Sequence, residues 1–272
     1  MIAQPVKNET ETQPSFLELS EGRRLAYCLT PGSLPGIVFF GGFKSDMNGA
    51  KARALESFCR EEGIRFLRFD YSGHGKSTGT FLQGSITQWR QDALDALDRL
   101  ADGQHILVGS SMGAWIMLLA ALARAEKVAG LVGLAAAPDF TERLIWQQFT
   151  PQQKKQMEEE GVVRLPSCDG GEPYPVTRAL IEDGRRHLLL DNPIPLDVPV
   201  RLIHGMQDSD VPWRMSLSLM DRLRTSDISL ELIKDGDHRL SYPSQLALMY
   251  RTVAELFLLA RARKKSFASE EI

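Results

Sequence analysis

The sequence has little cysteine, no long apolar run and no excess of charge of one sign. Its three cysteines, Cys28, Cys59 and Cys168, are too far apart for a metal-binding motif or a disulfide framework. Lysine and arginine (32 residues) nearly balance aspartate and glutamate (35 residues), so the chain lacks the basic field that nucleic-acid binding requires. No stretch approaches the roughly eighteen apolar residues of a membrane span. We therefore expect reduced thiols, no nucleic-acid partner and no transmembrane segment.

The two ends of the chain are polar. The N-terminal stretch MIAQPVKNETETQPS lacks both the basic-then-apolar pattern of a secretory signal and the arginine-rich composition of a transit peptide. On this composition we expect a cytoplasmic protein. Residues 1–13 and 264–272 are predicted to be flexible tails.

Apolar, strand-like runs alternate with helical patterns along most of the chain. Two short alternating runs around Glu21 and Gly22 predict an antiparallel hairpin. The later strand-like runs cover 36–42, 64–70, 105–110, 128–137, 200–205 and 228–235, and several of them are apolar throughout, as parallel strands buried on both faces should be. Helical patterns cover 50–63, 85–101, 112–124, 213–224 and 245–262. This alternation predicts an α/β fold with a mostly parallel, doubly wound sheet that starts with an antiparallel hairpin.

One long segment, 140–190, interrupts the alternation. It contains a polar helical pattern (TPQQKKQMEEEG), a loop (LPSCDGGEPYP) and a second short helical pattern. Long insertions in compact domains are usually functional. We therefore predict a helical lid at 140–190, inserted into a core formed by 14–139 and 191–263.

The segment HILVGSSMGAW places a G-x-S-x-G motif between a predicted strand and a predicted helix, which is the context that this motif requires. The motif fits only with Ser111 at its centre. In so tight a turn, side chains at Gly109 and Gly113 would collide with neighbouring backbone. We predict that Ser111 is a nucleophile and that the Met112 amide, at a helix N-terminus, stabilises an oxyanion. Ser110 is predicted to be structural.

A serine hydroxyl is a weak nucleophile unless a base accepts its proton and an acid orients that base. In this context the chain order is serine, acid, histidine. Three histidines follow Ser111. His187 falls within the insertion and His204 precedes the good acid candidates, whereas His238 lies just after the last predicted strand. We predict that His238 is the base.

The acid is predicted from the loop LIHGMQDSDVPW. Asp208 holds the place of the acid in H-G-x-x-D-x-x-V-P stretches, whereas Asp210 is interpreted as the cap of the following helix. Asp139, which follows an earlier strand, stays open as an alternative acid. A second oxyanion donor is expected from the loop VFFGGFKSDMNG, where two glycines precede the amide of Phe43.

Nucleotide and metal sites are not indicated. The stretch RFDYSGHGKSTG ends like a phosphate-binding loop, but Asp70 stands where the first glycine is required, and Thr78 replaces the third glycine of a dinucleotide fingerprint. A metal site drawn from the histidines and aspartates of 204–210 and His238 lacks a compact helical motif. We therefore expect neither a metal nor a cofactor.

Several motifs together resemble the α/β-hydrolase fold serine hydrolases: GGF…MNG, RFDYSGHGKS, GSSMGAW, HGMQDSDVPW and DHRL. More narrowly, the chain is similar to the branch that contains a mammalian mitochondrial acyl-glucuronide esterase and palmitoyl-protein thioesterase. The resemblance covers about 16–259. It implies Ser111, Asp208 and His238 as catalytic residues, with the amides of Phe43 and Met112 as the oxyanion hole.

The expected activity is hydrolysis of acyl esters or thioesters through an acyl-serine intermediate, as in a carboxylesterase, an acyl-protein thioesterase or an acyl-glucuronide esterase. The substrate is then a small acyl ester or thioester, or an S-acylated protein. Trp115, Phe140 and Trp146 are candidate substrate-binding residues. A peptidase or a C–C bond hydrolase on the same scaffold is an alternative enzyme, and a non-catalytic ligand receptor is an alternative of a different class.

Overall fold

The computed structural model of the chain describes residues 13–166 and 172–270, with the backbone alone for residue 21 and residues 264–270. Cys168 and nearly all of the predicted N-terminal tail lie outside the described residues. Among these residues, no helix is both long and apolar enough to cross a membrane. In the same part of the chain, no group of three or more histidine, cysteine, aspartate or glutamate side chains is arranged to hold a metal ion.

The described residues form ten strands and seven α-helices. The strands are β1 (Ser15–Glu18), β2 (Arg24–Thr30), β3 (Ser33–Phe40), β4 (Ile64–Phe69), β5 (His105–Ser110), β6 (Val128–Leu134), β7 (Val162–Leu165), β8 (Tyr174–Thr177), β9 (Val200–Gly205) and β10 (Ile228–Ile233). The helices are α1 (Ala50–Glu61), α2 (Ile86–Leu100), α3 (Met112–Ala123), α4 (Pro151–Glu160), α5 (Arg178–Gly184), α6 (Arg214–Arg222) and α7 (Pro243–Glu270).

Eight of these strands form one sheet in the order β1-β2-β4-β3-β5-β6-β9-β10. The pairs β1–β2 and β2–β4 are antiparallel, and all the others are parallel. The predicted fold class, a mostly parallel sheet with an antiparallel start, is confirmed. Because the parallel strands share one direction, their carboxyl ends meet along one edge, where the loops after β3, β5, β9 and β10 come together.

The sheet is covered on both faces because its strands alternate apolar side chains between two cores. In β3, Val38 and Phe40 pack into the core that contains Trp89 and Trp115 of α2 and α3. Ile37 and Phe39 face the other way, into the core formed with α1 and α7. A strand that is apolar at every position is therefore buried on both sides, as its sequence predicts.

The segment between β6 and β9 differs in part from its prediction. Helix α4 forms where expected, with a capping box between Thr150 and Gln153. The stretch predicted as loop, 165–175, is flanked by two strands that the sequence analysis did not predict, β7 and β8, which form a two-stranded antiparallel sheet in which Pro175 faces Arg164. Strands of four residues are too short to show an alternating pattern, and a proline argues against a strand except at an edge.

At the other end of the chain, α7 runs on to Glu270, past residue 263, because its sequence contains no glycine or proline to end it.

A buried ion pair secures the turn that precedes α1. The Arg68 guanidinium of β4 donates to Glu56 of α1, with Nη2 2.9 Å from Oε2, and also to the Met47 carbonyl and the Asn48 side chain. Both charged side chains are almost completely buried. Asp70 accepts a hydrogen bond from the Met47 amide at 2.6 Å, so the same turn is bound on two sides.

We expect Glu56→Leu to lower the free energy of unfolding by about 3–5 kcal/mol, because it leaves the Arg68 charge buried without its partner. Urea unfolding measures this change. Glu182→Leu is the matched control, since the Arg178–Glu182 pair is more than half exposed and is expected to contribute less than about 1 kcal/mol. Equal losses in the two variants would contradict this assignment.

Candidate active site

The turn between β5 and α3 holds Ser111 in a strained backbone conformation, with φ 54° and ψ −122°. A Cβ atom at Gly113 would lie 2.1 Å from the Phe40 carbonyl oxygen, and one at Gly109 would lie 2.5 Å from the Ala114 Cα. Only glycine permits such close approach of backbone to backbone. The turn directs Ser111 toward the loops at the carboxyl edge of the sheet.

His238 contacts Ser111 from the loop after β10. Its Nε2 atom lies 3.1 Å from Ser111 Oγ, and its Nδ1 atom lies 2.7 Å from Asp208 Oδ2. The loops that carry the two partners are in close contact, because a Cβ atom at Gly205 would lie 2.2 Å from the Gly236 carbonyl oxygen. Three residues that are distant in sequence thus form one continuous chain of hydrogen bonds.

Asp208 receives four hydrogen bonds. Its Oδ1 atom accepts from the amides of Asp210 and Val211, at 2.9 and 2.8 Å, and its Oδ2 atom accepts from His238 and His204. Burial works to raise the pKa of Asp208, but the hydrogen bonds from His204 and His238 outweigh it and hold the pKa below its usual range. The carboxylate is therefore ionised and fixed in orientation. A hydroxyl bound to an imidazole that a carboxylate holds in this way is arranged for nucleophilic attack.

The other two candidate acids serve different purposes. Asp139 is fully buried and accepts from the amides of Leu189 and Leu190, at 2.8 and 2.9 Å, so it joins the two ends of the segment between β6 and β9. Asp210 does not cap α6, contrary to its interpretation from sequence, because the helix begins four residues later, at Arg214, with Trp213 at its N-cap. Asp210 lines the cleft instead.

The loop after β3 lies against the Ser111 turn. A Cβ atom at Gly42 would be 3.5 Å from Ser111 Cβ, which places Phe43 beside the serine. The next amide, that of Lys44, donates to His74 Nε2 at 3.3 Å. Burial lowers the pKa of His74, which favours the neutral imidazole that this hydrogen bond requires.

A cleft of about 890 Å³ opens above Ser111. Its lining residues are Phe43, Lys44, Ser111, Met112, Ala137, Phe140, Leu144, Ile145, Leu165, Tyr174, Ser209, Asp210, Val211, Asp237, His238, Arg239, Ser241 and Tyr242. The segment between β6 and β9 supplies mostly apolar side chains, and the loops after β9 and β10 supply mostly polar ones. The cleft is therefore apolar on one side of Ser111 and polar on the other.

Of the three candidate substrate-binding residues, only Phe140 lines this cleft. Trp115 is fully buried beneath it, stacked edge-on against Phe140 and donating through Nε1 to the His187 carbonyl oxygen at 3.1 Å. Trp146 lies outside the cleft and packs under Arg185. The structure places neither Trp115 nor Trp146 at the wall of this cleft, and their roles in substrate binding stay predictions.

The cleft residues that sequence reasoning missed include residues of the short β7–β8 sheet, of the loops after β3 and β9, and of the loop that carries His238. Leu165 is the last residue of β7 and Tyr174 is the first residue of β8, and Lys44 donates to the Glu172 carbonyl oxygen just before β8 at 3.2 Å. The one available signal was proximity in sequence, since Lys44 follows Phe43 and Arg239 follows His238. Most arginines of the insertion form ion pairs, with Asp139, Asp191, Glu182, Glu142 and Asp183 as partners.

Comparison with known proteins identifies the family. A family model described as serine aminopeptidase, S33, matches residues 37–167. The chain is 44% identical to mouse palmitoyl-protein thioesterase ABHD10, mitochondrial, over 89% of this chain and 82% of the relative. The chain belongs to the ABHD10 family of α/β-hydrolases. It is a hydrolase, as the sequence predicts.

Solved structures agree with the assignment to the ABHD10 family. The mouse α/β-hydrolase domain-containing protein 10 superposes with a TM-score of 0.84 at 42% identity, covering 90% of this chain and 98% of that one. A solved hydrolase from Agrobacterium vitis S4 gives a TM-score of 0.86 at 35% identity, with the same coverage. These values confirm the α/β-hydrolase fold.

The predicted cytoplasmic location is contradicted. The ABHD10 relatives from mouse, human and Sumatran orangutan (Pongo abelii) are all named as mitochondrial proteins. The prediction relied on the composition of a short polar stretch before β1.

We expect Gly113→Ala to destabilise the protein by about 1–3 kcal/mol, because the added methyl group would overlap the Phe40 carbonyl oxygen. Thermal and urea unfolding measure this change. Gly49→Ala is the control, since its added Cβ atom would make ordinary contacts at 3.5 Å, and its expected cost is below about 1 kcal/mol. A Gly113→Ala protein as stable as the wild type would refute the steric account of this turn.

Proposed function

We propose that the protein hydrolyses acyl esters and thioesters through an acyl-enzyme formed on Ser111. The observation that carries this proposal is the hydrogen-bonded chain from Ser111 Oγ through His238 to Asp208, with separations of 3.1 and 2.7 Å. His238 is the general base and Asp208 orients it. The expected oxyanion donors are the amides of Phe43 and Met112, both at the cleft wall.

In the first step, Ser111 Oγ attacks the acyl carbon while His238 Nε2 takes its proton. The carbonyl oxygen becomes an oxyanion and accepts from the amides of Phe43 and Met112. When the tetrahedral intermediate collapses, the bond to the leaving alcohol or thiol breaks and His238 donates its proton to that group. Asp208 remains ionised throughout and stabilises the imidazolium.

In the second step, His238 deprotonates a water molecule that attacks the acyl-serine ester. The carboxylic acid leaves and Ser111 regains its proton from His238. No cofactor enters this balance, because water supplies both the hydroxyl group and the proton.

The apolar side of the cleft holds the acyl group and the polar side holds the leaving group. Phe43 belongs to the apolar side of the cleft. Its ring centroid lies 5.3 Å from that of Phe140 and 5.7 Å from that of Tyr174, so it joins the core to the segment between β6 and β9. Residues 140–190 act as a cap on the core formed by 14–139 and 191–263. The cap is fastened to α2, where Thr87 binds both Asp183 and His187.

The names of the relatives favour thioesters. The mouse relative is named a palmitoyl-protein thioesterase, and a long acyl chain requires an apolar wall such as the one that the cap supplies. The substrate class is an acyl thioester or ester, either small or carried on a protein. A peptidase is the second candidate, because the family model matched at 37–167 is described as a serine aminopeptidase.

We expect Ser111→Ala to lower kcat/KM for p-nitrophenyl acyl esters and acyl thioesters by about 10⁴-fold or more, since the nucleophile is lost. Ser110→Ala is the matched control, because its neighbouring hydroxyl has no part in the chemistry; we expect a change within about threefold. Both variants are compared at equal folded fraction by circular dichroism. Undiminished turnover in Ser111→Ala would exclude the acyl-serine mechanism.

The same assay separates the alternatives. Aminoacyl p-nitroanilides test the peptidase, and preference for them over esters and thioesters would favour it. Labelling of Ser111 by a fluorophosphonate without turnover of any substrate would favour a ligand receptor.

We expect Leu144→Asp to lower kcat/KM at least tenfold for a decanoyl ester and by less than about threefold for an acetyl ester, because a charge on the apolar wall penalises only a long chain. Chain-length profiles measure the effect. Leu217→Asp is the control, since Leu217 lies exposed on α6. Equal losses for both esters would mean that the acyl chain lies elsewhere.

A further inference from the structure

A second imidazole binds the Asp208 carboxylate. His204, the fifth residue of β9, is completely buried, and its Nε2 atom lies 3.1 Å from Asp208 Oδ2 and 3.0 Å from the Val211 carbonyl oxygen. Its Nδ1 atom lies 2.7 Å from Ser216 Oγ on α6. All the polar positions of the ring are therefore occupied, although the reaction described above does not use this histidine.

The neighbours of the ring decide where its proton sits. Both groups facing Nε2 of His204, an ionised carboxylate and a carbonyl, are acceptors only, so Nε2 carries a proton. The group facing Nδ1 is the Ser216 hydroxyl, which can donate to it. The arrangement fits a neutral imidazole that accepts from Ser216 and donates to Asp208.

We propose that His204 is a positioning residue that fixes Asp208 Oδ2 toward His238 and sets how strongly that oxygen attracts the His238 proton. The inference rests on the proposed function, because His204 acts only through Asp208 and His238. It adds a fourth side chain to the three that the sequence motifs indicate.

The positioning role of His204 follows from the fact that His204 and His238 both donate to Asp208 Oδ2. The oxygen accepts from two imidazoles at once, and Oδ1 is bound by the amides of Asp210 and Val211, so the carboxylate has no freedom to rotate. Each added donor spreads the negative charge. Without the His204 donor, more charge stays on Oδ2, and the protonated form of His238 becomes more favourable.

Other charged groups border this cluster, and they bear on any pH profile. Lys51 of α1 donates to the Arg239 carbonyl oxygen, and burial lowers the pKa of Lys51 to about 8. Asp237 and Arg239 lie on the loop that carries His238, and Asp210 lies on the loop of Asp208. All of these stay unchanged in variants at position 204, so a difference between such variants isolates the His204 hydrogen bond.

The decisive comparison is between His204→Gln and His204→Met. The two side chains have nearly the same length, but only glutamine places an N–H donor near the position of Nε2. We measure kcat/KM for an acyl ester from about pH 5 to 9, normalised to active sites titrated with a fluorophosphonate. The acidic limb of this profile reports protonation of the base in the free enzyme.

We expect the acidic limb of His204→Met to move to higher pH by about 0.5 to 1 unit. Activity below that limb then falls about three- to tenfold, while the plateau at higher pH is retained. His204→Gln is expected to follow the wild-type profile. A loss of fold or of packing would lower the titrated fraction and leave the limb in place.

His105→Met and His105→Gln are the matched controls. His105 is an equally buried histidine at the opposite end of β5, where its Nδ1 atom contacts the Gly103 carbonyl oxygen. Burial lowers the pKa of His105 to about 4, so it stays neutral across the measured range. Both variants are expected to leave the limb where it is.

Two results would overturn the inference: a His204→Met profile that coincides with the wild type, or equal displacement by methionine and glutamine. If the methionine variant does not fold, ¹⁵N spectra of histidine-labelled wild type decide instead. We expect His204 to show a protonated Nε2 and a bare Nδ1, with His204→Gln supplying the assignment, and the opposite tautomer would refute the role. Failure of the proposed function is a separate outcome, because wild type and Ser111→Ala would then hydrolyse acyl substrates equally.

Discussion

The close approach of two backbones at the β5–α3 turn is the constraint on which the site depends. Gly113 passes so near Phe40 that any side chain there would overlap it, and Ser111 consequently adopts a backbone conformation that costs about 1–3 kcal/mol. Helix α3 offsets this cost because nearly every one of its side chains is buried, including Trp115. Each large apolar side chain buried there contributes about 1.5–3 kcal/mol. The position of Ser111 is therefore fixed by the tight packing of α3.

A fixed serine requires equally fixed partners, and two glycines contribute to this: Gly205 at the end of β9 and Gly236 in the loop after β10. Gly205 lets the Gly236 carbonyl pass within contact, so the loops of Asp208 and His238 meet as closely as two strands do. Their mutual orientation is then set by hydrogen bonds to Asp208, which satisfy a carboxylate that would otherwise be costly to bury. The close packing of these loops and the full set of hydrogen bonds to Asp208 together explain why the atoms of Ser111, His238 and Asp208 lie 3.1 and 2.7 Å apart.

The polarity of the cleft follows from which elements border it. The loops at the carboxyl edge of the sheet are exposed and carry polar side chains, whereas the segment between β6 and β9 turns apolar side chains such as Leu144 and Ile145 inward. Asp139 ties the two ends of that segment together, and Thr87 ties its far side to α2. The segment is thereby anchored around its base, so that an apolar wall stands on one side of the serine.

The sequence by itself determined most of the strands and helices, and it predicted Ser111, Asp208 and His238 at the strand ends with Asp139 left open as the acid, since apolar runs and glycine-flanked motifs depend on local chemistry. Only the tertiary structure decided which aspartate faces His238, which aromatic rings border the cleft, and that His204 shares the Asp208 carboxylate. The sequence left Asp139 open beside Asp208 because each follows an apolar strand, and it did not separate Trp115 from Phe140, which lines the cleft. Contacts between residues far apart in the chain depend on how loops and helix faces pack, and that packing leaves no periodic trace in the sequence.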